Sequence, residues 1–276
     1  MNLAERGVDP YVTKTGVLRN KLLITDPAEL AQAEADITAV KIARLAEGHR
    51  IPGKYDLRHL QNFHKFIFGD IYRWAGEIRT VNIAKGQQFA QVGAIPGFAN
   101  SVFGDLRERK FLQGMGQQEF VRELAKAYGD LNALHPFREG NGRTQRAFLA
   151  QLARDAGYRL DWSRMDPKAN VDASVRELSG KATSEEAFGE LLGPLVSPLK
   201  TGRRTGAGGE VNAAEEGDSA VRTAGAKPSV PKLNQAAGTP HPGAVPGSKQ
   251  GGEEGPGHHR RGPTDRPGDS SGPRRP

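Results

Sequence analysis

His135-Pro136-Phe137-Arg138-Glu139-Gly140-Asn141-Gly142-Arg143-Thr144-Gln145-Arg146 lies between two stretches of helical periodicity and decides how the chain around it folds. Upstream, Phe120, Leu124, Tyr128, Leu131 and Leu134 recur at three- and four-residue steps, the pattern of a helix with one buried face. Pro136 biases His135 away from the right-handed helical region, so that helix ends near Leu134. From Gly142 to Gly157 the chain is helical again, with Phe148, Leu149 and Leu152 as its apolar side. Between the two helices Gly140 and Gly142 form a glycine-rich turn that leads into a helix N-terminus.

That arrangement suits an anion. Two glycines let the backbone come close to a ligand and point successive N–H groups at one place, and a helix N-terminus favours phosphate. Arg143 and Arg146 are three residues apart and share one face of the first turns, where two guanidinium groups suit a polyphosphate. Glu139 offers the hard oxygen that Mg²⁺ prefers, and His135 titrates near neutral pH and can take a proton. Taken singly, these are a loop histidine, an exposed helix face and a dipole-compensating charge. Together they read as a phosphoryl- or nucleotidyl-transfer site. It is not a Walker A loop, because no Lys-Ser or Lys-Thr pair follows the glycines.

Outward from this segment, the first 200 residues read as one all-α domain with a single β-hairpin. Asp26 and Pro27 open a helix that carries Leu30, Ala33, Ile37, Val40 and Leu45 and stops at Gly48. Asp56 opens a second. Its stripe Leu57, Leu60, His64, Ile67, Ile71 and Trp74 predicts a helix reaching Gly76, with His64 a hydrogen-bonded core histidine. Residues 79–95 break the period: 80–83 and 89–92 predict two short strands around the turn Lys85-Gly86-Gln87. Pro96 starts a further helix to about Phe111, and two weaker ones fall near 171–178 and 184–192.

Composition changes near residue 200. Residues 201–276 hold 16 Gly and 10 Pro, no aromatic residue, and only Val211, Val221, Val230, Leu233 and Val245 among the larger aliphatics. Such a segment buries too little apolar area to offset its ordering entropy and is expected to be a disordered basic tail. The charge of +7 is spread along the chain rather than gathered into one patch, so no direct nucleic-acid contact is expected. The absence of cysteine excludes disulfides, Cys-ligated zinc and a thiol nucleophile. No apolar run approaches the ~18 residues a membrane span needs, and the first 25 residues show no signal-peptide h-region. The expectation is a cytoplasmic protein without a membrane partner.

His135-x-Phe137-x-Glu139-Gly140-Asn141-Gly142-Arg143-x-x-Arg146 resembles the signature of the Fic/DOC family. Phe68 to Arg79 is similar to the stretch before that family's flap, Asn82-Ile83-Ala84-Lys85-Gly86 to the flap, and Val17 to Lys21 to a segment near its nucleotide pocket. The resemblance implies a domain over residues 1–200, with its core at about 55–200, that transfers AMP from ATP to a Ser, Thr or Tyr hydroxyl of a protein. His135 would be the base, Glu139 the Mg²⁺ ligand and Phe137 the core anchor of the loop. Gly140, Asn141 and Gly142 would cradle phosphate oxygens, with the Asn141 side chain taking part, and Arg143 and Arg146 would bind the β- and γ-phosphates. Arg19, Asn20, Lys85, Gly86, Gln87 and Gln88 would line the nucleotide pocket. Ile83, Ala84, Phe89 and Val92 would form the flap that pairs with an extended target segment. The alternatives on the same fold are transfer of phosphate or UMP, or a non-catalytic binding module.

Many members of the family are silenced by a helix of pattern Ser/Thr-x-x-x-Glu-Gly/Asn. Here Glu47, Glu139, Glu216 and Glu254 precede Gly, and the residues four before them are Ala43, His135, Asn212 and Gln250. The resemblance therefore implies a separate small antitoxin that supplies the helix. It also implies a protein target, with DNA gyrase or topoisomerase IV ahead of a host GTPase. The basic tail resembles charged tails used for type IV export.

Overall fold

The computed structural model describes residues 9–199 except residue 86. The Gly/Pro-rich tail and Gly86 lie outside the described residues. Seven α-helices and two two-stranded sheets are found among the described ones: α1 Pro27–Ala46, α2 Leu57–Phe68, β1 Ala84–Lys85, β2 Gln87–Gln88, α3 Ile95–Glu108, α4 Gln117–Leu134, α5 Asn141–Asp155, β3 Tyr158–Leu160, α6 Pro167–Leu178, α7 Ser184–Leu192 and β4 Val196–Pro198. This is the expected helical fold with a hairpin beside the glycine turn. The pair β3–β4, antiparallel with Arg159 opposite Ser197, was not legible in the sequence.

Helix α4 is central. Phe120, Leu124, Ala125, Tyr128, Leu131 and Leu134 are all buried, and so are Ala127, Gly129 and Asn132 on other sides. A helix buried on several faces must let its neighbours come close. Gly129 does this for α7, since a Cβ there would lie 2.1 Å from Ser184 Oγ. Helix α5 packs against α2 and α4 through Phe148, Leu149, Leu152 and Ala153, each fully buried. The Phe148 ring meets the rings of Tyr55, Phe63 and Phe103 edge-on at 5.4, 5.6 and 6.0 Å. The far end of α5 is clamped by Asp155, which accepts from Arg50 Nη1 and Nη2 at 2.6 Å each and from Tyr55 Oη at 2.6 Å. The N-terminus of α5, with its glycine turn, is thereby held between α2 and α4.

Three expectations are corrected. Helix α2 ends at Phe68 rather than near Gly76. Ile71 and Trp74 are buried, as the stripe required, but from turns, where Ile71 N and Tyr72 N both donate to Phe68 O. The hairpin strands are two residues each and lie between the predicted ones, where the turn was expected, with Ala84 opposite Gln88; residues 80–83 and 89–91 carry no strand, and 92–94 form a 3₁₀ turn. Val40 is 62% exposed although it falls on the apolar stripe of α1. The helix starts behave as read: Asp26 Oδ1 accepts from Ala28 N at 2.9 Å and Glu29 N at 2.8 Å, and Asp56 accepts from His59 N at 2.8 Å.

Phe148 joins α5 to α2 and α3. Phe148→Ala should lower unfolding stability by about 3–5 kcal/mol in urea melts, the range for an aromatic removed from a packed core.

Candidate active site

The segment from His135 to Gly140 is an irregular loop, yet most of it is buried. Its backbone groups therefore need partners. His64 of α2 supplies two contacts. Its Nδ1 accepts from Gly76 N at 2.8 Å, so its Nε2 carries the proton and donates to Glu139 O at 2.9 Å. Its ring also stacks on Phe137 with centroids 4.0 Å apart. Phe137 is 1% exposed. Asn141 closes the loop on itself: Phe137 N donates to Asn141 Oδ1 at 2.9 Å, and Asn141 Nδ2 donates to Phe137 O at 2.7 Å. His64 is thus the hydrogen-bonded core histidine expected. The Asn141 side chain is 3% exposed, and both ends of its amide are engaged within the loop.

Gly140 opens α5 at φ +79, and no side chain caps the helix. A Cβ at Gly140 would lie 2.3 Å from the Phe68 ring, so glycine is required for space as well as for conformation. The uncapped first turn leaves helix-start N–H groups facing the loop, the arrangement that binds anions. Glu139 Oε1 accepts from Gly140 N at 2.9 Å and lies 3.7 Å from Arg143 Nη2. Its side chain is about one-third exposed.

The two arginines point to different neighbours. Arg143 lies over the Phe68 ring, its Nη1 donates to Thr38 Oγ1 at 3.2 Å, and its Nη2 pairs with Glu34. Glu34 in turn accepts from the Tyr72 hydroxyl. Burial, then the Glu34 carboxylate, push the Tyr72 phenol far above its ordinary range. Arg146 faces back toward the turn: a Cβ on Gly142 would come within 3.2 Å of its Nη1. Burial raises the Tyr128 phenol, and the neighbouring Arg146 opposes that rise.

His135 ends α4 in a left-handed conformation, φ 39 and ψ 59, which few non-glycine residues adopt. Its Nδ1 lies 3.0 Å from Asn132 O. A carbonyl only accepts, so Nδ1 carries the proton and the basic lone pair sits on Nε2. The imidazole is half-buried and stacks on Phe89 at 3.6 Å and 13°. Phe89 is 8% exposed, so its ring supports the histidine instead of presenting itself to a target.

Of the remaining expected residues, Ile83 is half-buried and Ala84 exposed at the start of the hairpin. Val92 N donates to Asn82 Oδ1 at 2.9 Å, which closes the hairpin's base. Lys85, Gln87 and Gln88 fall on the strands. Arg19 is exposed. Asn20 uses its amide to close its own loop, donating to Leu18 O at 3.0 Å and Ile24 O at 2.8 Å and accepting from Ile24 N at 3.0 Å. Sequence reasoning missed Glu34, Tyr72 and Arg79. Glu34 lies 109 residues from Arg143 with no local motif to mark it. Arg138 pairs with Asp9 at 2.8 Å and fixes the N-terminal segment to the loop. Among the described residues no group of three or more His, Asp or Glu side chains is placed to hold a metal ion, and no helix is long and apolar enough to cross a membrane.

An uncapped glycine turn, two arginines and a histidine with a defined tautomer are thus brought together in a helical fold with a small hairpin. Residues 54–153 match the Fic/DOC family. The chain is 36% identical over 180 residues to the Escherichia coli K12 protein named "Probable protein adenylyltransferase Fic", covering 64% of this chain and 88% of that one. It is 40% identical over 184 residues to the protein adenylyltransferase VbhT of Bartonella schoenbuchensis, covering 66% of this chain but 38% of VbhT. The N-terminal Fic domain of a VirB-translocated Bep effector protein from Bartonella quintana, solved with bound ADP, superposes with a TM-score of 0.64 at 28% identity, covering 69% of this chain and 95% of that one. This chain belongs to the Fic/DOC family.

Burial holds His64 neutral, with its pKa lowered from 6.5 to about 4, and lowers His59 as well. The unfolded chain therefore gains protons near pH 6.5 that the fold refuses, and stability falls as pH drops below that value. The buried carboxyls of Asp130 and Glu177, held above their ordinary range by burial, oppose this at lower pH. The urea midpoint should therefore fall between pH 7 and 5.5, with unfolding taking up on the order of one proton. A flat midpoint would mean that both imidazoles become charged inside the fold.

Proposed function

We propose that this chain is a protein adenylyltransferase, moving AMP from ATP to a Ser, Thr or Tyr hydroxyl of another protein. The observation that carries it is the juxtaposition of His135, basic at Nε2, with the uncapped glycine turn of α5 and its arginines. The relatives named as adenylyltransferases support the same reading.

The residues act as follows. The turn at Gly140 and Gly142 takes phosphate oxygens on backbone N–H groups, and Arg146 neutralises the outer phosphates. Arg143 contributes positive field from its seat between Glu34 and Phe68. The acceptor hydroxyl gives its proton to His135 Nε2 as its oxygen bonds to the α-phosphorus. The bond from that phosphorus to the bridging oxygen breaks, and pyrophosphate leaves. The Glu139 carboxylate, about one-third exposed, would hold Mg²⁺, which binds through one or two carboxylates and takes further ligands from phosphates. When bound, Mg²⁺ supplies charge neutralisation between the phosphates. The hairpin offers a backbone edge to an extended target segment, a mode that tolerates varied sequences.

The finer assignments are also ours. The domain comprises residues 1–200, followed by a tail over 201–276. The chain contains no Ser/Thr-x-x-x-Glu-Gly/Asn segment, which supports control by a separate antitoxin. A bacterial topoisomerase is the target class we favour.

The test is paired label transfer in a bacterial lysate with Mg²⁺. Label should pass from α-labelled ATP only. His135→Ala should reduce it by ~10²–10⁴-fold, the range for a lost general base, while still binding ATP. Gly140→Ala should lose nucleotide binding as well, because its Cβ meets Phe68. Label arriving from γ-labelled ATP would make the protein a phosphotransferase.

A further inference from the structure

Arg79 is 1% exposed, the largest side chain buried to that degree. Burial lowers its pKa, and among the described residues no carboxylate pairs with it. A charge in that position needs other hydrogen-bond partners. It finds three backbone carbonyls. Nε donates to His135 O at 2.9 Å, Nη1 donates to Val81 O at 2.9 Å, and Nη2 donates to Ala90 O. The Arg79 backbone N–H also donates to Pro136 O at 2.9 Å.

These carbonyls are not a random set. His135 O and Pro136 O belong to the two successive peptides that follow the left-handed base residue, a sparsely populated conformation that persists only where the surroundings hold it. Val81 precedes the hairpin and Ala90 follows it. The guanidinium is planar and its donors diverge at fixed angles, so one rigid fork sets the spacing of all three elements. A second link runs parallel to it. Phe89 stacks on the His135 imidazole, and Ala90 N donates to Ala133 O at 2.9 Å at the end of α4. Neither link involves the phosphate-binding arm, whose Arg143 is held by Glu34 and Thr38 of α1.

We propose that Arg79 is a positioning residue that fastens the hairpin to His135, so that a hydroxyl carried on a segment docked along the hairpin arrives at Nε2. This rests on the transferase reading above. Arg79 then governs the acceptor half of the reaction and leaves the nucleotide half intact.

The test uses the full chain with Arg79→Lys, which keeps the charge but loses the fork, Arg79→Met, which loses both, and Phe89→Leu. Three quantities are measured: calorimetric affinity for the β,γ-imido analogue of ATP with Mg²⁺, label transfer from α-labelled ATP into lysate protein, and amide hydrogen exchange. Both Arg79 variants should bind the analogue within twofold of wild type, transfer label at least 100-fold more slowly, and exchange faster in residues 79–92 and 131–137 together. Transfer within threefold of wild type, or nucleotide affinity lost in step with transfer, would overturn the proposal. If the Arg79 variants do not melt cooperatively, Phe89→Leu decides: tenfold slower transfer at unchanged affinity supports it, and unchanged transfer overturns it. If wild type binds the analogue yet transfers no label, the transferase reading fails by itself. The fastening is then judged by exchange in Arg79→Met, where acceleration confined to residues 79–92 overturns it.

Discussion

The neutral imidazole of His64 is the interaction on which the site depends. A loop that must present N–H groups outward has to satisfy its other polar groups inward, in a place water does not reach. His64 does this with both ring nitrogens: one accepts the Gly76 N–H, the other donates to the Glu139 carbonyl. Its face carries Phe137 and Phe68 at 4.0 and 4.8 Å. Only a neutral histidine offers one acceptor and one donor from a flat apolar ring. Protonation would turn the accepting nitrogen into a donor facing the Gly76 N–H. The low pKa of His64 is therefore a condition of the loop's shape.

With the loop fixed from within, the charges around it divide into two groups held by different parts of the chain. One group, Arg143 above all, is tied to α1 through Glu34 and Thr38, and Glu34 is tied to the turns after α2 through Tyr72. The base side is tied to the hairpin through Arg79 and Phe89. Under the proposed reading, the divided anchoring would let the acceptor-binding edge vary without disturbing the nucleotide seat. It also places α1 in the site, although α1 lies before the residues that match the family.

The local parts of this design were legible in the sequence and the long-range parts were not. Pro136, Gly140 and the flanking apolar periods set the ends of α4 and α5 within a residue or two, because each is a property of adjacent residues. The type of His64 was also legible, since a histidine on an apolar stripe needs internal partners. The end of α2 was misread because burial continued when the helix did not: Ile71 and Trp74 reach the core from turns, and periodicity reports burial more directly than conformation. The hairpin was placed correctly, but its strands were not, because two-residue strands hold no alternation to read. The pairing of the Asn141 side chain with both polar groups of Phe137 was not legible, because it answers to the burial of the loop.

Glu34 and Arg79 show why charged residues are the hardest to place. In the sequence each is one of many surface-type residues, and an exposed position is the sound default. Their roles follow from burial, which sequence pattern does not reveal for polar groups. Largely withdrawn from water, Glu34 at 12% and Arg79 at 1% exposure, each must meet partners that cannot relax away. Glu34 satisfies an arginine and a phenol, and Arg79 satisfies three carbonyls on separate elements. A buried charge engaged in several directions fixes those directions relative to one another more tightly than an apolar contact does, because hydrogen bonds weaken steeply with angle while dispersion does not. The two charges therefore stand one behind Arg143 and one behind His135, the first largely and the second fully buried.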